Sequence, residues 1–397
     1  MNLLQGLFDL PWWGYVLYVV IVSQITIAAV TLYLHRSQAH LSLDLHPIVS
    51  HFFRFWLFMT TGMRTIDWVS IHRKHHAKCE TAEDPHSPRH YGIKKVLLEG
   101  AELYRVEKNN QETLERYSHG CPTDWIERHL YSPRSTWGIY SLFVINFVLF
   151  GFIGITMTAA ILIWIPLHAA GGINGIGHYW GYRNYECSDD ATNISPWAFW
   201  IGGEELHNNH HAYPSSAKFS LRPWEFDIGW MYIKILGFFG LAKARRVAPK
   251  PEIDKAKTHL DMDTVRAIFK SKMHVMANYA NGVIKPLVAD ESSLAHQSAE
   301  PSKAKTIRQA RKPLILEESR MCDHSRAQVD AALQSSEKLM VVYQFRKQLQ
   351  EIWTQTYSNQ EKLVQALADW CKRAEESGIQ YLQDFADSLR GYGLKVA

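Results

Sequence analysis

Twenty of the 397 residues are histidine, and their placement is the first sign of chemistry. IHRKHH, residues 71–76, contains His72, His75 and His76, and GGEELHNNHHAYP, residues 202–214, contains His207, His210 and His211. At this histidine content an H-x-x-H-H triplet arises by chance roughly 0.05 times in a chain of this length. Here it occurs twice. On a helix, positions i, i+3 and i+4 share one face, so each triplet can aim two or three imidazoles at one point. Imidazole is a nitrogen ligand for zinc, copper, iron and nickel. Surface histidine on a polar helix accounts for one such triplet more easily than for two.

Two further groups join them. LHRSQAH places His35 and His40 five apart, a spacing that needs a helix end or kink to bring both rings inward. NGIGH places Asn174 and His178 at i, i+4, although a single histidine there also fits an interfacial or core position. Nine imidazoles exceed the need of one metal, since zinc takes three or four protein ligands. Together with a water held by Asn174 they fit two metals of five or six coordination. Glu204 and Glu205 stand where they can accept ring N–H bonds and fix tautomers, though a solvated acidic pair fits as well. Asp84, in ETAEDPHSP, is a similar candidate, while its Asp-Pro step also serves to end a helix. Two redox metals at a membrane face imply oxygen chemistry on a lipophilic substrate. Iron is the metal suited to unactivated C–H bonds.

These residues need elements to hold them. Residues 12–34 form an uncharged run long enough to cross a bilayer, with His35 and Arg36 directly behind it. The run 137–173 carries no formal charge apart from His168 and predicts two helices in a tight hairpin, about 137–153 and 156–173, turning near Gly151 and Gly154. Residues 47–66 are apolar but include His51, Arg54 and Arg64, which are costly at the bilayer centre. A crossing there would also part the histidines to opposite faces, so this stretch reads as interfacial or re-entrant. Residues 226–246 read as a helix on the membrane surface. Arg36, Arg73, Lys74 and Lys78 crowd the histidine-bearing segments, which makes that side cytoplasmic. Residues 1–250 are thus expected to form the membrane-embedded domain, 251–305 a linker with some helix, and 306–397 a soluble helical appendage without an assignable chemistry.

Composition narrows the alternatives. A net charge of +4 implies no large basic surface for nucleic acid. Cys79, Cys121, Cys187, Cys322 and Cys371 are scattered without C-x-x-C spacing, which argues against a disulfide framework, a zinc ribbon or an iron–sulfur cluster and suits a reducing compartment. The first apolar run follows Asp9 rather than a basic segment, so no cleavable signal is expected.

HRSQAH, HRKHH and HNNHH resemble the three histidine boxes of the integral-membrane fatty-acyl desaturases of the acyl-CoA desaturase type. DPHSP after the second box, NGIGH, and GYRNY after it match as well; the likeness spans roughly residues 12–245 and is greatest to the bacterial delta-9 branch. The resemblance implies an all-α fold: an integral-membrane helical bundle with a cytoplasmic helical cap holding a di-iron site, here with a C-terminal soluble helical extension. It implies that His35, His40, His72, His75, His76, His178, His207, His210 and His211 bind two irons and that Asn174 orients a metal-bound water. The implied reaction removes two hydrogens from adjacent methylenes of a saturated acyl chain, on phospholipid or CoA, with O2 as co-substrate. Two electrons would come from a ferredoxin- or flavin-type reductase. The implied location is the bacterial inner membrane, multi-pass, with the site on the cytoplasmic side.

Three features depart from that pattern. One span, not two, precedes the first box, which would put the N-terminus outside. Ser70-Ile71 stands where the animal acyl-CoA enzymes carry an Arg-Asp pair associated with the CoA head group, leaving phospholipid-borne chains open. The C-terminal extension lies outside the common core. Two rival readings stand beside this one. A di-iron membrane hydroxylase would use similar boxes, but the Glu-His pairings of alkane hydroxylases do not occur here. A metal transporter or sensor would place its ligands within the spans near the midplane, whereas these lie at span ends.

Overall fold

The computed structural model describes residues 6–355 and 360–394. It is built almost wholly of helices, with three two-stranded ladders. The chain divides into two compact units, one running to Arg183 and resuming over Asp189–Ala248, the other made of Asn184–Ser188 and Pro249–Ala397.

In the first unit, helix Trp12–Ala29 continues as a π-helical stretch, Val30–Ala39. The combined Trp12–Ala39 and the run Ser135–Ile176 are both long and apolar enough to cross a membrane. Helix Trp12–Ala29 is apolar around its circumference and leaves Trp12, Trp13, Val16 and Leu17 exposed, as a lipid-facing helix does. The second is a hairpin. Its helix Ser135–Ile165 breaks at Gly151, whose φ of 59° and ψ of −143° lie outside the helical region. The arms touch at Gly154, where any Cβ would collide with the Asn146 carbonyl oxygen. Buried Asn146 bridges them by donating to Thr158 Oγ1 at 2.9 Å and accepting from the Tyr18 hydroxyl at 2.7 Å. A small residue and a polar bridge at one contact are what apolar helices use to pack without a hydrophobic driving force.

Helix Pro47–Thr60 is amphipathic and shows Ile48, Phe52 and Phe55 to the outside. Its Arg54 is buried but paired, with Asp124 at 2.7 Å and Glu127 at 2.9 Å. Helix Thr65–Lys78 follows and carries the second histidine triplet. Helix Ile93–Glu107 lies along the π-helical stretch Pro166–Ile176, in a close approach that leaves a Cβ on Gly100 3.0 Å from the Ala170 oxygen. Antiparallel strands Leu43–Leu45 and Ala242–Ala244 tie the first box to the segment behind the short apolar helix Ile228–Phe238.

The second unit surrounds its own core, with Trp370, Tyr279, Leu339, Leu349 and Leu389 fully buried. Strands Pro251–Ile253 and Tyr392–Leu394 pair antiparallel within it. Residues 251–305, expected as a linker, are part of this unit. Helices Lys285–Gln297 and Pro301–Gln309 set Leu287, Val288, Ala304 and Ile307 into the core. The polar composition had hidden a sparse helical spacing of apolar residues.

Candidate metal centre

Both triplets are helical and both divide in the same way. On helix Thr65–Lys78, His72 and His76 point one way and His75 the other; on helix His207–Ala212, His207 and His211 pair and His210 turns aside. The i, i+4 members share a direction, and the i+3 ring diverges from its neighbour by a single residue's rotation. The five-residue spacing of the first box is met by the π-helix. His40 N–H donates to the His35 carbonyl at 3.1 Å, an i→i+5 bond, and the two rings meet edge-on at 4.8 Å between centroids. The π-helical stretch Pro166–Ile176 leads into His178, whose N–H donates to the Gly175 carbonyl at 3.2 Å in the turn just beyond it.

The nine rings form two groups. His35, His40, His72, His76 and His210 make one, and His75, His178, His207 and His211 the other, each with its nearest donor atoms within 4.8 Å of one another. The groups abut, His76 stacking on His211 at 4.4 Å between centroids. Within the first, Nε2 atoms face one another at 2.8 Å (His40 and His72), 2.9 Å (His76 and His210) and 3.1 Å (His35 and His210). In the second, His178 and His207 do so at 2.9 Å.

Carboxylates hold the outer nitrogens. The Nδ1 atoms of His35, His75, His178 and His211 lie 2.7, 3.0, 3.0 and 3.1 Å from Glu204, Asp84, Glu80 and Asp189. A proton on Nδ1 leaves the Nε2 lone pair facing inward. Among the described residues, buried His211 Nε2 has no hydrogen-bond partner, an orphan that a metal would satisfy. A metal about 2.1 Å from two ring nitrogens at a right angle sets them about 3.0 Å apart, against about 3.4 Å for a tetrahedron. The observed spacings are those of imidazole nitrogens turned toward one ion within each group. Burial holds His40, His72, His76, His207 and His210 well below the ordinary imidazole range and takes His211 down to about 4, so these rings are neutral donors at pH 7. Burial also pulls on His75, but the Asp84 carboxylate outweighs it and raises that ring.

The other box residues are braces. Arg36 is fully buried, bonds Asp227 at 3.1 Å and the Ala217 carbonyl at 3.0 Å, and lies over the Phe219 ring. Arg73 joins the first two boxes by donating to the carbonyls of Gln38 and Ala39 at 2.8 and 3.0 Å. Asn209 donates to Glu225 at 2.8 Å and fixes the start of the third box.

Of the acidic residues expected on ring N–H groups, Glu204 and Asp84 are there and Glu205 is not. Among the described residues Glu205 accepts instead from the backbone N–H groups of Trp200 and Ile201 at 2.8 and 2.9 Å, because Gly202 and Gly203 turn the chain and send adjacent side chains apart. Glu80 and Asp189 were missed. Neither stands beside a histidine in a readable motif, and Glu80 reaches His178 through a left-handed backbone, φ 60°, rare for a residue with a Cβ. Cys79 was missed as well, its Sγ lying 3.8 Å from His75 Nε2.

A cavity of about 650 Å³ is lined by His35, His72, His207 and Asn174 among others. Val30, Ile139, Leu162 and Ile165 make much of its wall apolar, while Arg64, Arg105 and Lys108 supply charge elsewhere. Trp68 forms another part and stacks on His72 at 4.8 Å.

A family model described as Fatty acid desaturase matches residues 10–225, more than half of the chain. A second, described as Transposase, matches residues 265–396. Among the described residues, no cluster of three metal-ligating side chains gathers in that C-terminal unit. Delta-9 acyl-lipid desaturase 1 of Arabidopsis thaliana is 32% identical over 221 residues, 54% of this chain and 69% of the relative. Acyl-CoA C20 Delta5-desaturase of Anemone leveillei is 30% identical over 57% of this chain and 71% of its own. The sn-2 palmitoyl-lipid 9-desaturase of Nostoc sp. (strain 36) is 32% identical over 45% of this chain and 62% of its own.

Proposed function

Because this chain belongs to the fatty acid desaturase family, we propose that it uses O2 to introduce a cis double bond, at the delta-9 position, into a saturated acyl chain carried on membrane lipid. The observation that carries this reading is the pair of histidine groups, members of which line a cavity with a partly apolar wall. His35, His40, His72, His76 and His210 would hold one iron, and His75, His178, His207 and His211 the other. Asn174, on the cavity wall, would orient a water. Bound iron supplies the activation of dioxygen that an unactivated methylene requires.

The protein's own contribution is position and exclusion. Apolar walls keep water from the reacting carbons, and the chain must be held to within about an ångström of its productive placement. Glu204, Asp84, Glu80 and Asp189 keep protons on outer ring nitrogens and lone pairs inward. A lipid-borne chain is favoured over CoA as carrier by the names of two of the relatives and by Ser70-Ile71 before the second box. Two electrons per turnover come from a separate ferredoxin- or flavin-type reductase. The site faces the cytoplasm from the bacterial inner membrane, as the basic residues around the boxes favour.

The test is the fatty-acid profile of cells expressing this chain beside a His75→Ala/His210→Ala variant. New cis-monounsaturated chains with the intact protein alone are expected. Hydroxylated lipids would replace desaturation with hydroxylation, and an unchanged profile despite bound iron and a working reductase would sink the reading. In a pulse of labelled saturated acid, the double bond should appear first in phospholipid; first appearance in acyl-CoA would overturn the carrier.

A further inference from the structure

Trp200 touches both apolar runs of the first unit. Its carbonyl accepts from Gln24 Nε2 at 3.1 Å, and its ring meets that of Trp164 at 5.6 Å between centroids. Gln24 belongs to helix Trp12–Ala29 and Trp164 to helix Ser135–Ile165. Both contacts fall beside apolar side chains that face outward: Ile21, one turn before Gln24, and Ile163 and Leu167 around Trp164. Eleven residues separate Gln24 from His35, about 16 Å along the helix axis. The loop that carries Trp200 thus reaches back along the first apolar helix, away from the histidine rings.

This loop is aromatic and outward-facing. Trp197, Phe199 and Trp200 are 66, 52 and 40% exposed, and the short parallel ladder sets exposed Phe226 opposite Trp197. Large aromatic side chains gathered on one exposed edge are unfavourable in water. An irregular backbone, in turn, leaves water only if its polar groups are bonded within the protein. Here they are. The Trp197 N–H donates to Ser195 Oγ at 3.1 Å and the Phe199 N–H to the Trp197 carbonyl at 3.1 Å. The N–H groups of Trp200 and Ile201 donate to Glu205 at 2.8 and 2.9 Å, and Gln24 supplies the donor for the Trp200 carbonyl. In water these groups would be hydrated without a carboxylate; at membrane depth the protein must bond them.

We propose that residues 197–201 form an aromatic loop that enters the bilayer beside both apolar runs, with the headgroup–acyl boundary of the lipid as its partner. Tryptophan combines an apolar body with one polar N–H and settles at that boundary. Gly202 and Gly203, both at positive φ, turn the chain from the loop to Glu204 and His207, so the loop ties the third histidine box to the membrane surface. The proposal rests on the reading of Trp12–Ala39 as a membrane span.

The test is spin-label accessibility in the full chain, reconstituted into phosphatidylcholine and phosphatidylglycerol vesicles. The background is Cys322→Ser, because Cys322 is the exposed thiol among the described residues. Labels go to Phe199→Cys, to Val16→Cys on the first apolar helix, and to Lys94→Cys at an exposed polar position. All three side chains are exposed, so no core is disturbed. The Phe199 label should collide with O2, which concentrates in the bilayer, and should lose collisions with a water-soluble nickel chelate, as the Val16 label does. Nickel collisions as frequent as at Lys94 would place the loop in water and overturn the proposal. Shielding from both reagents would overturn it too, because protein, such as a second copy of the chain, would then cover the loop. A Val16 label open to nickel would instead remove the span reading beneath the proposal.

Discussion

Glu204 and Glu205 are neighbours with the same side chain and opposite duties. Glu204 accepts from His35 Nδ1 at 2.7 Å and from Thr31 Oγ1 at 2.7 Å, while Glu205 accepts from two backbone N–H groups. Glu204→Gln should therefore cost roughly 10- to 100-fold in metal affinity, and Glu205→Gln should leave it unchanged; equilibrium metal titration of the two variants separates them. Equal losses would mean that the pair acts through shared negative charge and not through a ring contact. The sequence places both residues close to the third box, and nothing local says which one turns toward a histidine. That is settled by Gly202 and Gly203, whose positive φ values reverse the chain just before them. Glu80 and Asp189 were illegible for a related reason: their partners His178 and His211 are distant in sequence, and only tertiary packing makes the pairs.

At the scale of elements, period decides which rings converge. The i, i+3, i+4 triplets are plain in the sequence, and helices Thr65–Lys78 and His207–Ala212 follow from them. The π-helical stretch Val30–Ala39 does not follow, since nothing in VTLYLHRSQA forbids ordinary α-helix. Inserting one residue after Ser37 should carry His40 about a quarter-turn further round the helix, away from His72. The expected result is loss of one bound metal with the apolar helix intact, read by metal content and circular dichroism. The hairpin has a comparable single point of failure. Gly154→Ala drives a Cβ into the Asn146 carbonyl oxygen, so the arms must part, at a cost of about 1–3 kcal/mol. Gly282→Ala has nothing within 4 Å and should be neutral or slightly stabilising. Thermal unfolding in detergent compares them, and equal melting temperatures would refute the close contact.

For the whole molecule, the histidine centre couples stability to protons and to metal. The folded-state pKa of His211 is about 4 against an ordinary 6.5, and five other rings are depressed in the same direction by burial. Below pH 6.5 the unfolded chain takes up protons that these rings refuse, so their contribution is intact above that pH and is lost as pH falls toward 4. His75, raised by Asp84, runs the other way but is one ring against six. The metal-free protein should thus lose thermal stability steadily from pH 6.5 to 4, and a flat profile would show that the rings are solvated. Bound metal should raise the melting temperature at pH 7, and a chelator should remove that gain.

Membership of the desaturase family, the helical class and the histidine motifs were all written in local patterns: apolar runs of span length, the three boxes, and their order. Such patterns are legible because periodicity and composition act over a few residues. The division of nine rings into groups of five and four, the choice of Glu204 over Glu205, and the passage of residues 184–188 through the C-terminal unit were not. Each depends on which distant side chain a buried polar group finds, because a buried donor or acceptor must be satisfied wherever the packed chain offers a partner.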